Sequence, residues 1–489
     1  MSMSQEDVGG LWSAGRRALI VGLVLTITLV AFEALAVSTV MPIVAAELGD
    51  LELYGWVFTA FVLGSIVGIV VSGGLIDRHG LGLPFSIGLG LFTIGLLGGG
   101  LAPSMPVLVA MRLVQGLGAG AVPPVAYVAI GRSLPERLRP QMFATLSTAW
   151  VLPGVLGPAI AGIVGELFGW RLVFLGLLPL IALAAAIAYP SLRRVGLAGP
   201  DQRTGNEPDP SLQNAPPGDP ASAMRRRLPL AFMVAAGTGL FLAGLTSGEL
   251  VWLIGLGGAG LAVSLPALRR LMPAGTLRAA RGLPTAILMR GILTCAFFGV
   301  DAYVALTLVD WRGLSPTQAG ISLTAATLAW TAGSWIQARF ATRFTPERFV
   351  QVGILVLVVG LALFGLVLLP AVSPWAAVPI FSVAGLAMGL SYSPLTLIVL
   401  RSAGSAEQGA ATSALSLSDS LGTALGTGIT GAVIAASVRQ TGQPVGGLAV
   451  GFGLAAAISF VGLILSSRLG PAVDARSAVS GVPVGRGLR

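Results

Sequence analysis

Four charged residues stand inside long apolar runs of this 489-residue sequence: Glu33, Arg112, Asp301 and Asp419. A charge in hydrocarbon is expensive unless it is paired or faces a water-filled cavity, so an ionisable residue there is a functional candidate by default. A carboxylate caught between desolvation and a nearby guanidinium is poised to take up and release a proton. Glu33, Asp301 and Asp419, with Arg112 as a counter-charge, are therefore the candidate proton-coupling groups. Plainer roles stand beside these. Glu33 can be a hydrogen-bonded structural acid, and Arg112, the one arginine assigned to a span, can snorkel toward the near interface. Asp419 lies on the stripe Thr412, Ser416, Asp419, Thr423, Thr427, Thr430, which either lines a cavity or bonds neighbouring helices. Glu166 reads as structural. Other chemistries find no residues. One histidine (His79) and one cysteine (Cys295) exclude a His/Cys metal cluster. No phosphate-cradling GxxxxGK[ST] loop is present. No Ser–His pairing suggests an intramembrane enzyme, and no cofactor is expected.

The stretch Trp150–Gly162, WVLPGVLGPAIAG, lies in an uncharged run from Gln141 to Gly165, about the ~20 residues that cross a bilayer. Its prolines and glycines would break a soluble helix but are tolerated in lipid. Gly154, Gly157, Ala161 and Gly162 predict a smooth face for a partner helix, and Pro158 predicts a bend. The rest of the chain is of the same kind: 55% hydrophobic, 10% charged and 68 glycines, against about 25% charge in soluble domains. The expectation is an all-α polytopic membrane protein.

Fourteen spans are legible: about 17–40, 53–76, 84–103, 105–130, 141–166, 169–190, 229–247, 250–266, 284–309, 317–341, 349–370, 374–400, 408–437 and 446–467. They divide the chain into a six-helix bundle (1–190), a Pro-rich linker (191–228), an inserted hairpin with a basic loop (229–282), a second bundle (283–468) and a flexible tail (469–489). Only Arg171, Arg312 and Arg439 fall on the side opposite the termini. By the positive-inside pattern both termini are cytoplasmic, in a multi-pass cell-membrane protein. The formal charge of +9 is then a topology signal and an attraction to anionic membrane lipid, and no nucleic-acid partner is inferred.

The two bundles repeat. A shift of 269 residues carries Gly116, Gly120, Arg132, Gly157 and Gly162 onto Gly385, Gly389, Arg401, Gly426 and Gly431. A shift of 268 carries Glu33 onto Asp301, and one of 265 carries Gly68 onto Gly333. Parallel halves of this kind enclose a site near the bilayer midplane.

Three further patterns sharpen this reading: Gly64-x8-Gly73-x3-Asp77-Arg78-His79-Gly80, Arg112-Leu-Val-Gln115-Gly116, and FEALAVSTVMP in the first span. With Leu156-Gly157-Pro158-Ala-Ile-Ala-Gly162 they resemble the major facilitator superfamily, and within it the fourteen-helix drug–proton antiporters. The resemblance covers both bundles and is strongest over residues 30–175. It implies a gating role for Gly73, Asp77, Arg78 and Gly80, an antiporter motif at Gly154, Gly157, Pro158 and Gly162, and a charge relay between Arg112 and Glu33. The chain departs from the pattern at Leu81 and Gly82, where basic residues are usual, at Glu33, Leu35 and Ser38 in the first span, and at Thr342, which stands opposite Asp77 in the repeat.

Tyr127, Trp150, Phe297, Phe298, Tyr303, Trp330 and Tyr392 fall at span middles, with Tyr127, Trp150, Phe297, Trp330 and Tyr392 the candidate cavity residues. Aromatic faces suit flat and cationic compounds, though core packing uses them equally. The expected function is proton-coupled export of hydrophobic or amphiphilic small molecules by alternating access, multidrug efflux above all, by a monomer. Lipid export, an uncoupled metabolite facilitator and a non-transporting membrane sensor are the alternatives. Span five (Gly154, Gly157, Ala161, Gly162) is expected to meet the span after Pro316, and span two (Gly64, Gly68, Ser72) the Gly422/Gly426 span.

Overall fold

The computed structural model describes residues 11–135, 138, 142, 145–146, 149–197, 220–341, 343–402 and 408–470. The middle of the linker (198–219), all of 471–489 in the tail, Thr342, part of 141–148 and the side chain of Asp77 lie outside the described residues. The helices in order are α1 (Ala14–Leu48), α2 (Tyr54–His79), α3 (Gly82–Gly100), α4 (Met105–Ala119), α5 (Val122–Ser133), α6 (Val151–Phe168), α7 (Trp170–Leu175), α8 (Leu178–Leu197), α9 (Pro220–Ser247), α10 (Gly258–Leu271), α11 (Leu283–Leu306), α12 (Pro316–Phe340), α13 (Pro346–Gly365), α14 (Ala377–Ser402), α15 (Gln408–Thr441) and α16 (Val445–Leu465). The helices flanking the linker run further than the sequence suggested, to Leu197 and from Pro220.

Thirteen of the described helical stretches are long and apolar enough to cross a membrane. The fourteenth expected span, α12, has 25 residues but is more polar. Its hydroxyls turn inward: Thr327 and Thr331 bond carbonyls one turn back, and Thr324 donates to the Val155 carbonyl of α6 at 3.4 Å. The helix starts where a Ser315–Gln318 capping box and Pro316 at its first turn satisfy free N–H groups.

Two six-helix bundles and an inserted hairpin result, and the same helix pairs form in each half. α1 packs on α6 and α8 as α11 packs on α15 and α16; α2 and α3 pack on α4 as α12 and α13 pack on α14. The glycines show the repeat at atomic scale. A Cβ on Gly116 would meet the Phe61 carbonyl and one on Gly120 the Ser65 carbonyl. In the second half Gly385 meets the Ala326 carbonyl and Gly389 the Trp330 carbonyl. Gly68 against Leu117 becomes Gly333 against Leu386. Backbones touch at these points, which only glycine permits.

The interface expectations hold in part. Span five does meet α12: Gly154 lies against Thr327, Pro158 against Gly320, and Gly162 against Thr317. Span two does meet α15, but through Gly55, against Gly431, and Thr59, bonded to Thr427 at 3.1 Å. Gly64 and Gly68 instead press on α4, and Gly422 and Gly426 on Gly291 and Cys295 of α11. Most glycines hold a half together; a few join the halves.

Gly116→Leu should destabilise the protein by about 1–3 kcal/mol or more, because the neighbour is backbone and cannot yield. Gly90, where an added Cβ would meet nothing within 4 Å, should accept leucine with no loss. Thermal unfolding of the two purified variants in detergent checks the contrast.

Candidate functional site

The first charge centre joins α1, α2 and α4. Arg112 forms an ion pair with Glu33, and both side chains are almost wholly buried, 3% and 1% exposed. Arg112 also donates to the Val57 carbonyl (3.1 Å) and to Gln115 Oε1 (2.7 Å), and lies 4.3 Å above the Phe61 ring. Glu33 Oε2 and Gln115 Nε2 keep no hydrogen-bond partner. Arg112 therefore does not snorkel; its charge is met inside the bundle. The spacing Arg112–Gln115, one helical turn, was already visible in the sequence as part of one motif.

A second centre lies in the other half and was missed. Arg290, seven residues into α11, is 4% exposed. Arg112 is thus not the only arginine within a span. Arg290 donates to the Tyr392 carbonyl (2.9 Å) and Thr396 Oγ1 (2.7 Å), and stacks 3.4 Å from the centre of the Tyr392 ring. Its Nε faces Asp419 Oδ1 at 3.6 Å, an ion pair without a hydrogen bond. Tyr392 Oη donates to the other oxygen, Oδ2, at 3.1 Å. Asp419 is 28% exposed, so this centre opens where the first is sealed. Proximity to the span edge hid Arg290 among the basic loop residues. The signal against that assignment was its place in the apolar run of Asp301, because a buried carboxylate calls for a cation.

Glu33 and Asp301 are not equivalent despite the repeat. Asp301 is half-buried and has no hydrogen bond or ion pair among the described residues. The position that repeats Arg112 is Phe381, which stacks on Phe297 with centroids 5.5 Å apart. Where the first half carries an ion pair, the second carries an aromatic cluster. The expectation that Glu33 and Asp301 face one cavity fails for Glu33 in this conformation, since its side chain is closed in by three helices.

The aromatic candidates divide. Phe297, Trp330 and Tyr392 form a chain, with centroids 5.6 and 5.4 Å apart. Tyr127 and Trp150 are 52% and 47% exposed. Tyr127, from the first half, lies within electrostatic reach of Asp419 and Arg290, so it looks across the space between the halves. The polar stripe of α15 is mixed: Thr423 bonds its own helix, and Thr427 crosses to Thr59. Among the gating residues, Gly80 ends α2 with φ +72°, a Cβ added at Gly73 would meet nothing within 4 Å, and Arg78 is exposed. The structure brings no described partner to this loop.

The antiporter-motif glycines do different things. Gly162 faces Thr317 of the other half, with a Cβ coming to 2.8 Å, whereas Gly157 faces Phe32 and Leu35 of α1 in its own half, at 3.6 and 3.7 Å. The repeat treats them alike: Gly431 crosses to Gly55, and Gly426 stays within its half on Cys295.

The contacts between the bundles run from the Glu52 end along both helix pairs, on α6 and α12 as far as Gly154–Thr327. Arg439 pairs with Glu52 at 2.7 Å, and Glu166 accepts from the Thr317 N–H at 2.7 Å. Tyr54 and Phe58 pack on Tyr303, and Tyr303 donates to the Thr427 carbonyl at 2.7 Å. Glu166, expected to be structural, is so as a cap joining the halves. Among the described residues, the polar contacts that latch the two halves lie at the Glu52 end.

The comparisons agree with this geometry. The sequence profile of the Major Facilitator Superfamily matches residues 23–427. A Mycobacterium tuberculosis protein named "Probable multidrug-efflux transporter" is 27% identical over 435 residues, 82% of this chain and 84% of the relative. The methylenomycin A resistance protein of Streptomyces coelicolor is 27% identical over 439 residues, 87% and 86% of the two chains. The crystal structure of the POT family transporter PepTSo superposes with a TM-score of 0.64 at 14% identity, over 92% of this chain and 97% of that one. A bacterial homologue of the lysosomal transporter Spinster, inward-facing and unoccupied, gives 0.62 at 17% identity, over 94% and 100%. These two structures speak for the fold alone. With its paired six-helix bundles and a profile match across both, the chain belongs to the Major Facilitator Superfamily, a family of membrane transporters.

Proposed function

We propose that the protein is a proton-coupled exporter of hydrophobic or amphiphilic small molecules, working by alternating access. The observation that carries this reading is the one-sided latch. Two halves whose described contacts run from the Glu52 end as far as Gly154–Thr327 fit one of the two states an alternating-access carrier must visit. The names of the two relatives, multidrug efflux and methylenomycin A resistance, favour drugs as cargo. With both termini read as cytoplasmic from the arginine distribution, the Glu52 end is the outer one, and the latch closes the outer side. Tyr127, Trp150, Trp330 and Tyr392, with Asp419, would meet the compound, while Phe297 backs the aromatic wall.

Protons supply the driving force, about 2.3 kcal/mol for each charge crossing 100 mV. Glu33 is the group we assign to the proton. Its second oxygen has no hydrogen-bond partner and is the one available to take up a proton. Loss of its charge leaves Arg112 uncompensated and desolvated, which favours a rearrangement that readmits water. Asp301 and Asp419 are the further candidates for a second proton or for cationic cargo. Asp77 and Arg78 we assign, by family resemblance, to the inner gate.

Two tests follow. Glu33→Gln should abolish export driven by an imposed pH gradient in reconstituted vesicles while preserving dye binding, and Glu33→Asp should retain part of it. Export by Glu33→Gln against a concentration gradient would remove Glu33 as the essential site, and gradient-insensitive transport by the unmodified protein would favour a facilitator. Gly162→Leu should slow export at least tenfold at matched membrane levels, by holding the latched seam apart (about 1.4 kcal/mol per tenfold). Gly157→Ala should stay near normal, since its Cβ meets only ordinary contacts at 3.6 Å or more.

A further inference from the structure

On the outside of the first bundle, α3 and the α7–α8 stretch touch at both ends and part between. At the Gly80 end a Cβ on Gly82 would meet the Arg193 backbone at 3.5 Å and the Tyr189 ring at 3.7 Å. At the other end Gly99 and Gly100 lie against Phe174 and Leu175. The far sides of both walls are fixed. Gly88 and Gly95 press α3 onto Ala121 and Gln115, and Gly22 of α1 presses on the Ala188 backbone of α8. Between the joints the facing residues are small: Ser86, Gly90 and Thr93 on α3, and Ala182, Ala185 and Ala186 on α8. Each set falls on one helical stripe. The result is a groove of about 460 Å³, held open by the backbone contacts behind its walls.

The walls are apolar and the rim is cationic. Ser86 Oγ donates to the Gly82 carbonyl at 2.9 Å and Thr93 Oγ1 to the Leu89 carbonyl at 2.7 Å, so both hydroxyls are spent on their own helix. An added Cβ on Gly90 would meet nothing within 4 Å. Ile87, Ile94 and Leu183 beside the groove are 42%, 57% and 52% exposed, so this face looks into hydrocarbon. The α8 wall, from Leu178 to Pro190, runs about 18 Å at 1.5 Å per residue. One turn beyond Tyr189 and Pro190, on the same face, stand Arg193 and Arg194, both exposed. Among the described residues no acid lines the groove.

We propose that the groove is a binding site for an anionic diacyl phospholipid, with one acyl chain between α3 and α8 and the phosphate on Arg193 and Arg194. An elongated apolar slot opening on the bilayer accepts a hydrocarbon chain. Two guanidiniums at its mouth hold a phosphate through paired N–H donors and select a net negative head over a zwitterionic one. Both arginines lie on the side read as cytoplasmic, the leaflet face on which basic residues meet anionic lipid. The linker that follows α8 is a poor occupant, because its polar and charged residues would lose their hydration in an apolar slot. The site stands on the lipid face of one half, away from both charge centres, and does not depend on the exporter reading.

The test is photolabelling of the full-length protein in phosphatidylcholine vesicles. Two probes carry the same diazirine-bearing acyl chain, one on phosphatidylglycerol and one on phosphatidylcholine, at equal mole fraction. The phosphatidylglycerol probe should label residues 85–93 and 178–190 roughly tenfold more than the phosphatidylcholine probe. Arg193→Gln/Arg194→Gln should bring the two probes level. Arg269→Gln/Arg270→Gln, which removes the same charge from the exposed end of α10, should keep the preference. Gly90→Leu, or Ala186→Leu on the opposite wall, should lower labelling by the phosphatidylglycerol probe several-fold. Equal labelling by the two probes in the unmodified protein, or undiminished labelling in both groove-filling variants, overturns the proposal. Loss of the preference in the α10 variant overturns it too, since the effect would then be one of net charge. A weakly labelled groove together with a dimer that Gly90→Leu separates would assign the face to a second copy of the chain instead. Labelling needs neither gradient nor turnover, so a failure of pH-driven export leaves this result untouched.

Discussion

Hydrocarbon gives a helix no reason to hide leucine, so helices in a bilayer are held by close packing and by hydrogen bonds they cannot make with solvent. In this protein that constraint is met by bringing backbones into contact. Gly116 on Phe61, Gly118 on Phe92, Gly385 on Ala326 and Gly426 on Cys295 leave no room for a methyl group. The rigidity of each half follows from these contacts. Among the described residues, only Gly55, Gly154, Gly162, Gly320 and Gly431 make such close contacts between halves, and they run from the polar latch at the Glu52 end to Gly154. Strong joints within a half and few joints between halves are what a rocking carrier requires.

Charge is arranged under the same constraint. Arg112 and Glu33 sit where no water reaches, and neither can stay charged without the other. Arg290 and Asp419 make a looser pair, stiffened by Tyr392, on a surface that faces outward from its bundle. The repeat preserved the helices and dropped the chemistry: Phe381 stands at the Arg112 position and stacks on Phe297. One half therefore carries a sealed ion pair, the other an aromatic wall beside an accessible one. Duplicated folds can divide labour in this way because the scaffold rests on glycine contacts rather than on the charged residues.

Much of this was legible in the chain. Apolar runs of bilayer length identify spans, because the backbone can only be satisfied internally there. Glycine recurring at offsets of 265 and 269 residues marks the duplication, because those positions admit no other residue. Glu33 and Arg112 stand out because burial makes charge costly wherever it falls. α12, read from the chain as the span 317–341, is the one expected span that falls short of the apolar measure the other thirteen meet, because it carries threonines and serines.

Pairing was not legible. Nothing along the chain distinguishes Gly157, which packs on α1, from Gly162, which crosses to Thr317; five residues on one helix point in different directions, and the partner of each depends on how bundles dock. Arg290 looked like a loop residue because linear distance to the span edge says nothing of Tyr392 and Asp419, which lie 102 residues from it at one end of a hydrogen bond and further still at the other. The hairpin read as two more apolar helices, and only tertiary packing lays it against α2 and α15. Sequence by itself determined what must be in the membrane, what must be paired and that the unit is doubled, since those follow from transfer energies and steric size residue by residue. Which charge meets which, which glycine joins the halves and which side faces lipid were decided by the docking of helices far apart in the chain, where direction in space matters and position in sequence does not.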